Sequence, residues 1–269
     1  LDPSGDLTFI EAYADTSETY GTKISTMARV TVSGNDYLYS GSAYEHGLDV
    51  YEINSSGGLD FVESIGPEQL LPVNSISQIV PVVVGGQTYL MVAASGSSSL
   101  SVLKVNTNGT LSAVDHIVET QTTRIQNVSL IKTFEKDGNT FVLSSVSAHR
   151  MSMFSVAADG QLIYLDTIVD STTTALSNIS SFEVVQLGND TQVFVTSGDD
   201  FGVTAISILT ASFGGIITAG SGHTVGTSND EVIMMSGSST ATGGAGADIF
   251  VLMADGQAKT ITDFTPGTD

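Results

Sequence analysis

The chain has 269 residues, no cysteine and a formal net charge of −21, from 29 acidic and 8 basic side chains. The absence of cysteine excludes a disulfide-stapled domain and a cysteine-based metal or redox centre. The negative charge disfavours nucleic acid as a partner, since phosphates need cationic cover. Hydrophobic residues make up 41% of the chain, enough for a sizeable core, and no apolar stretch is long enough to predict a transmembrane segment.

An internal repeat occupies the segment 1–220. Similar segments begin at Tyr37, Tyr89, Phe141 and Val193, so that the repeat has a constant period of 52. A constant period over four copies indicates one structural unit that is used repeatedly.

Each repeat predicts four antiparallel β-strands, and the second repeat shows this best. Its predicted strands are separated by short turns rich in glycine or asparagine, and they span residues 76–84, 89–94, 100–105 and 111–118. Four strands in about 50 residues are typical of a β-propeller blade. The sequence therefore predicts an all-β fold with four full blades in residues 1–220.

The first residues continue the repeat in the upstream direction. The segment 4–11 matches the segment 56–63, so Leu1 aligns with Ile53 near the end of a third strand. This register predicts part of a fifth blade, and hence a fragment of a ring of six to eight blades. The alternative is a ring of four or five blades that residues 7–14 close.

The blade sequence resembles that of the lactonase-like propellers, the seven-bladed family related to 6-phosphogluconolactonase. The segments 89–93, 99–105 and 108–111 carry this resemblance, which covers about residues 1–220. The resemblance implies a propeller fold. Its motifs specify blades and not chemistry, since many unrelated propellers share them.

A second domain is predicted over residues 221–269, where glycine, serine, threonine, alanine and aspartate dominate. The segment 243–251, GGAGADIFV, fits the pattern G-G-x-G-x-D-x-U-x, in which a tight glycine turn precedes a short strand. The segment 226–234 precedes it by about the length of two such nonapeptides and has a similar turn and strand. Stacked turns of this kind predict a short parallel β-roll.

Two stacked turns can supply the oxygen ligands that a hard cation such as Ca²⁺ requires. The candidate ligands lie in the two segments and are Asn229, Asp230, Glu231, Gly244, Gly246 and Asp248. One calcium ion between the turns is therefore expected. The alternative is a glycine-rich linker that matches the pattern by chance.

This tract resembles the calcium-binding repeats of RTX, or haemolysin-type, proteins, and residues 255–269 resemble the start of the cap that follows such repeats. The resemblance implies Ca²⁺ as cofactor, type I export from a Gram-negative bacterium and an extracellular or cell-surface location. An acidic chain without cysteine suits that route, because charge repulsion opposes compaction until calcium neutralises part of it.

One face of the predicted blades gathers the loops between second and third strands and the loops between consecutive blades. Two of the four histidines and two of the three arginines fall there, beside Asp199 and Asp200. The candidate catalytic residues are Glu45, His46, Arg124, His149 and Arg150. A histidine or glutamate could activate water and an arginine could stabilise an oxyanion, as lactone or ester hydrolysis requires. The alternative is that these side chains are solvated loop residues.

Two functions are compatible with these patterns. We favour a secreted, calcium-stabilised propeller that binds an extracellular glycan, protein or small molecule. The alternative is an extracellular lactonase-like hydrolase that uses the loop face. An unpaired edge of a severed blade also predicts self-association with another chain.

Overall fold

The computed structural model describes Gly5 and residues 7–146, 149–210 and 213–269. Leu1 and the loop residues 147–148 lie outside the described residues. The described chain is built from β-strands, with one 3₁₀ turn at Pro67–Gln69. None of its described helices is long and apolar enough to cross a membrane.

Four antiparallel sheets follow one another along the first three quarters of the chain, and we call them blades 1 to 4. Blade 1 consists of β1 (Ile24–Val32), β2 (Asn35–Ser42), β3 (Leu48–Ile53) and β4 (Leu59–Ile65). Blade 2 consists of β5 (Ile76–Val84), β6 (Gln87–Ala94), β7 (Ser99–Val105) and β8 (Leu111–Val118). Blade 3 consists of β9 (Val128–Lys136), β10 (Asn139–Val146), β11 (Arg150–Val156) and β12 (Leu162–Val169). Blade 4 has three strands, β13 (Ile179–Leu187), β14 (Asp190–Ser197) and β15 (Val203–Ile208).

Two parallel sheets form the rest of the chain. One contains β16 (Phe213–Ala219), β18 (Asp230–Met235) and β20 (Ile249–Leu252), and the other contains β17 (Gly222–Val225), β19 (Ser239–Thr242) and β21 (Thr260–Ile261). Val232 pairs with Ile249, its equivalent in the following turn of the roll, as the stacked turns predict. Ile233, Met235 and Ala241 lie in a small common core. The predicted parallel β-roll is therefore confirmed.

The chain divides into two compact units. The first contains the described parts of 1–135, 140–185 and 193–206, and the second contains 207–269 with the turns 136–139 and 186–192. The first unit thus holds most of the blade strands, and the second holds the roll.

The repeat and the all-β fold are confirmed. The first strands of the four blades begin at Ile24, Ile76, Val128 and Ile179, so their spacing is constant to within one residue. In blade 2 the largest difference from the predicted strands is two residues, at the start of β6. Both faces of the inner strands carry apolar residues, so each sheet needs a neighbour on each side.

The fourth repeat corrects the prediction of four full blades. Its expected fourth strand, β16, pairs in parallel with β18, with Ile216 opposite Val232, and belongs to the roll. The fourth strands of blades 1 and 2 carry Glu63 and Asp115, which bind the next blade, whereas β16 has no acidic residue. Ala219 of β16 instead joins the roll core. The roll therefore begins before residue 221.

The fourth repeat is also shifted by one residue. The sequence alignment placed Val193 opposite Phe141, but β14 begins at Asp190, one position earlier than the period from Asn139 of β10 requires. Phe194 therefore takes the position of Leu143. A shift of one residue turns every side chain of a strand to the other face. It places Val193 and Val195 on the buried side and leaves Phe194 partly exposed.

A carboxylate on the fourth strand links one blade to the next. The backbone N–H of Leu111 donates to Oε1 of Glu63 at 2.5 Å, and the N–H of Leu162 donates to Oδ2 of Asp115 at 2.7 Å. The acid lies in blade n and the donor in blade n+1. Each bond thus ties the first residue of one fourth strand to the sheet before it.

A tyrosine of the second strand packs on a glycine turn of the next blade. A Cβ on Gly109 would overlap the ring of Tyr37, and a Cβ on Gly160 would lie 2.8 Å from the ring of Tyr89. Both glycines have positive φ, +79° and +90°. Glycine is therefore required at these turns by backbone conformation and by the approach of the ring.

The N-terminal residues contact blade 1, and the described residues before Ile24 form no strand. That they form part of a fifth blade stays a prediction, because residues 1–4, with which the alignment of that blade begins, lie outside the described residues. Leu59 donates its N–H to the Tyr13 hydroxyl at 2.5 Å, and that hydroxyl donates to Glu11 at 3.1 Å. Through Tyr13, Glu11 is thus linked to the N–H of Leu59. In blades 2 and 3 the equivalent N–H groups, those of Leu111 and Leu162, donate to the fourth-strand acids of the preceding blade.

The inter-blade carboxylate bond gives a matched pair of variants. Asp115 and Asp166 hold equivalent positions and each accepts the N–H of the following residue, but Asp115 also accepts the N–H of Leu162. We expect Asp115→Ala to lower the free energy of unfolding by about 1–3 kcal/mol, because it leaves a buried N–H without its partner. Asp166→Ala should change it by less than about 0.5 kcal/mol. Urea denaturation measures both, and equal effects would contradict the role of the inter-blade bond.

Candidate functional site

The roll brings two of the predicted calcium ligands together. Because β18 and β20 lie side by side in parallel, the turns that precede the two strands stack on each other. Glu231 and Asp248 are then neighbours, and both are almost fully buried, at 1% and 2% exposure. The backbone N–H of Glu231 donates to Oδ1 of Asp248 at 2.9 Å. The two carboxylates thus share one interior position between the stacked turns.

The Glu231 carboxylate is held within its own turn. Its Oε2 accepts the N–H of Thr227 at 2.9 Å, and its Oε1 accepts the Thr227 hydroxyl. Sequence reasoning missed Thr227, although a hydroxyl residue directly after the turn glycine is a usable signal.

Glycine is required where the two turns approach. A Cβ on Gly244 would overlap the carbonyl oxygen of Thr227, and a Cβ on Gly246 would overlap that of Asn229. Both glycines have positive φ, +109° and +122°. The stacked backbones therefore exclude larger residues, and backbone oxygens lie close to the opposite turn.

The other predicted ligands lie at the rim. Asn229 is exposed and donates its N–H to the Thr227 hydroxyl at 3.1 Å, while Oδ1 of Asp230 accepts the N–H of Ala247 at 2.7 Å. Sequence reasoning named the capping segment as a whole and missed two of its acids. Asp263 accepts the N–H groups of Gly243 and Gly244 at 2.8 and 2.9 Å, and Asp269 accepts that of Asp248 at 3.3 Å.

The electrostatics of this position are unfavourable for two bare carboxylates. Burial raises the pKa of Asp248, the hydrogen bond from Glu231 N–H opposes that shift, and the negative charges of Glu231 and Asp269 raise it further. None of the ion pairs between described residues includes Glu231 or Asp248. A cation would relieve both the burial of charge and the repulsion.

The residues present fit a hard cation of the calcium type. The described residues contain no group of three or more histidine, cysteine, aspartate or glutamate side chains arranged to hold a metal. Two buried carboxylates with backbone carbonyls around them nevertheless form an oxygen-only donor set, which Ca²⁺ accepts and zinc or copper sites do not favour.

On the loop face, two of the predicted acids accept hydrogen bonds from backbone N–H groups of the loops. Oε2 of Glu45 accepts the N–H of Thr22 at 2.8 Å, and Oδ2 of Asp200 accepts the N–H of Ser177 at 2.8 Å. In both cases an acid after the second strand holds the loop that enters its own blade. The carboxylate oxygens of Asp199 accept longer hydrogen bonds, at 3.4 Å from Ser177 and 3.5 Å from Asn178.

The basic candidates are placed in different blades. His46 is exposed in blade 1, Arg124 is exposed in the loop between blades 2 and 3, and His149 is exposed beside Arg150, the first residue of β11. The backbone carbonyl of Arg124 accepts the Ser152 hydroxyl at 3.1 Å. Their convergence on one substrate stays a prediction.

Asp49 is a fully buried acid that sequence reasoning missed. Both its oxygens accept the N–H of Tyr20 at 3.0 Å, Ser64 donates to Oδ1 at 2.5 Å and Tyr51 donates to Oδ2 at 3.4 Å. Burial raises the pKa of Asp49, these hydrogen bonds oppose the shift, and the charge of Asp15 adds to it. Alignment of the repeats could have singled out Asp49, because the equivalent positions in the next two repeats hold serine, Ser101 and Ser152.

No protein-family model matches the sequence, and no curated protein matches it. Similar solved structures include a protein from Lactobacillus plantarum, 16% identical over 66% of this chain and 55% of that one, with a TM-score of 0.43. They also include exo-β-1,3-galactanases from Phanerochaete chrysosporium (11% identical, 62% and 40% covered, TM-score 0.41) and Clostridium thermocellum (14%, 63% and 40%, TM-score 0.40). This chain thus spans about half or less of those chains, and the likeness concerns the fold alone.

The raised pKa of Asp49 predicts how a variant responds to pH. An acid whose pKa is higher in the folded than in the unfolded chain contributes stability that is present at low pH and lost as the pH rises through the folded pKa. For Asp49→Ser, the unfolding free energy relative to wild type should therefore increase from pH 4 to pH 7. Urea denaturation at several pH values measures this difference. A difference that falls with pH would contradict it, and Ser152→Ala is the control without a carboxylate.

Proposed function

We propose that the chain is a calcium-stabilised β-propeller module that works outside the cell and binds a ligand there. The observation that carries the proposal is the pair Glu231 and Asp248, two neighbouring carboxylates buried between stacked glycine turns. A buried pair of like charges is unfavourable unless a cation or a proton compensates it. Calcium is the cation that suits oxygen ligands on flexible backbone turns.

Calcium would link folding to location. Glu231, Asp248 and backbone carbonyls of the turns would bind the ion. The bound ion would supply the positive charge that the chain itself does not place beside these two carboxylates. A net charge of −21 opposes compaction, so neutralisation within the roll favours the folded state. Where calcium is scarce the roll would stay unstable, and where it is abundant the roll would fold. Export of an unfolded chain to an extracellular or cell-surface location, by a type I system of a Gram-negative bacterium, is the setting in which this coupling is useful.

For the blades we propose binding of a glycan, protein or small molecule at the loop face, with nucleic acid disfavoured by charge. The alternative is a hydrolase, with His149 or Glu45 as its proposed base. Oε2 of Glu45 accepts the backbone N–H of Thr22, so this side chain also holds a loop. The blades then act as a rigid scaffold whose loops carry the recognition.

Calcium dependence of stability tests the proposal. A ligand that binds the folded state alone stabilises it by roughly 2.7 kcal/mol at 100 times its dissociation constant. We therefore expect the full chain to unfold at a higher temperature in CaCl₂ than in EGTA, with a much smaller effect of MgCl₂. Circular dichroism and calorimetry measure the transition.

Two variants make this test specific. Asp248→Asn should abolish the calcium-dependent shift, whereas Asp166→Asn, an exposed acid of blade 3, should preserve it. An unchanged midpoint of the wild-type chain between calcium and EGTA would refute the calcium site.

A further inference from the structure

The β-roll has two edges of stacked turns. The first edge consists of the turns 226–231 and 243–248 and contains the candidate calcium ligands. The second edge consists of the turns 236–238 and 253–259, which join β18 to β19 and β20 to β21. Because the strands on both sides of these turns pair in parallel, the two turns of the second edge also stack on each other.

The backbones approach each other less closely at the second edge than at the first. A Cβ on Gly237 or on Gly256 would meet no atom within 4 Å, whereas a Cβ on Gly244 of the first edge would overlap a carbonyl oxygen of the opposite turn. Within the described part of the roll, the second edge therefore does not show the close approach of glycine turns and carbonyl oxygens that suits a metal ion at the first edge.

Asp255 links the two turns of the second edge. Its Oδ2 accepts the N–H of Gly237 in the opposite turn at 2.6 Å, and its Oδ1 accepts the N–H of Gln257 in its own turn at 3.0 Å. The Ser238 hydroxyl adds a longer hydrogen bond across the edge, to Oε1 of Gln257 at 3.3 Å. The negative charge of Asp255 thus lies where the two turns meet.

The chain itself supplies a positive charge beside Asp255. Nζ of Lys259 donates to Oδ1 of Asp255, and it donates to the carbonyl oxygen of Gln257 at 3.2 Å. The Lys259 side chain is 7% exposed and that of Asp255 is 33% exposed, so salt screens this ion pair less than a pair on the open surface. The hydrogen bond from Lys259, followed by those from the Gln257 and Gly237 N–H groups, lowers the pKa of Asp255 to about 2.

The Lys259 ammonium therefore binds a carboxylate oxygen and a backbone carbonyl oxygen, which are the kinds of atom that bind Ca²⁺ in proteins. It reaches them because turn 253–259 has seven residues, against three in turn 236–238. The longer turn brings Lys259 back to Asp255, four residues before it.

We infer that the Lys259 ammonium does at the second edge what a bound calcium ion would do at the first edge. It neutralises an acid between stacked turns and holds those turns together. The second edge then forms with or without calcium, and the calcium response of the roll is confined to the first edge. The comparison with the first edge rests on the proposed calcium site, whereas the role of Lys259 at the second edge does not.

Hydrogen exchange of the full chain, measured by mass spectrometry, follows the two edges separately. In the wild type, replacing CaCl₂ by EGTA should speed exchange in 226–231 and 243–248 and leave 236–238 and 253–259 unchanged. If EGTA speeds exchange as much at the second edge as at the first, the inference is overturned. No response at either edge would refute the calcium site, and the role of Lys259 is then decided by its variants.

The variant Lys259→Met removes the charge and keeps an apolar stem. We expect exchange at the second edge to become about fivefold faster or more, by the same factor in CaCl₂ and in EGTA, because the charge of Asp255 then has no compensating cation. Lys259→Arg keeps the charge and should stay close to the wild type. Lys104→Met, at an exposed position of blade 2, is the control and should leave both edges unchanged.

Two results would overturn the inference. Equal exchange in Lys259→Met and Lys259→Arg would show that the charge of this side chain does not hold the turns together. Asp255→Asn should preserve the calcium-dependent shift of the unfolding midpoint. Loss of that shift would make Asp255 a calcium ligand, and the second edge would then depend on the metal.

Discussion

A sheet with two apolar faces is stable only when a neighbour covers each face, and this constraint shapes the first unit. Blades 1 and 2 meet it through the same contacts with the blade that follows: an apolar second-strand residue, a tyrosine on a glycine turn, and a carboxylate that accepts a backbone N–H of the next blade. Tyr37 with Gly109 and Tyr89 with Gly160 show how closely successive blades repeat this arrangement. The sequence has a constant period because the same packing recurs from one blade to the next.

The roll satisfies its backbone and its charges in a different way. Its strands are parallel, so each turn stacks on the equivalent turn that follows it, and glycine is needed where the backbones meet. That stacking also forces Glu231 and Asp248 into one buried position. A buried pair of acids is therefore a consequence of how the roll is built, whereas in blade 1 the buried Asp49 accepts hydrogen bonds from Tyr20 of the N-terminal segment and from Ser64 of its own sheet.

Prediction from the sequence succeeded where local pattern and long-range packing agree. In blade 2 alternation and turn residues locate all four strands, and the G-G-x-G-x-D pattern locates the roll strand that follows Asp248. It failed where two arrangements share one local pattern. The segment 213–219 is a plausible strand in either a blade or the roll, and its partner is decided by which core its apolar side chains can join. Likewise, an apolar run around Val193 does not reveal which alternate residues face inward.

The sequence by itself determined the all-β fold, the four repeats, the roll with its stacked turns and the acidic residues between them, because each depends on periodicity or on the backbone freedom of glycine. Only the tertiary structure decided that β16 leaves blade 4, that Glu45 holds a loop, that Asp49 is fully buried, and that Phe194 is left partly exposed. The physical reason is that pairing partners and burial depend on residues far apart in the chain, which no local pattern encodes.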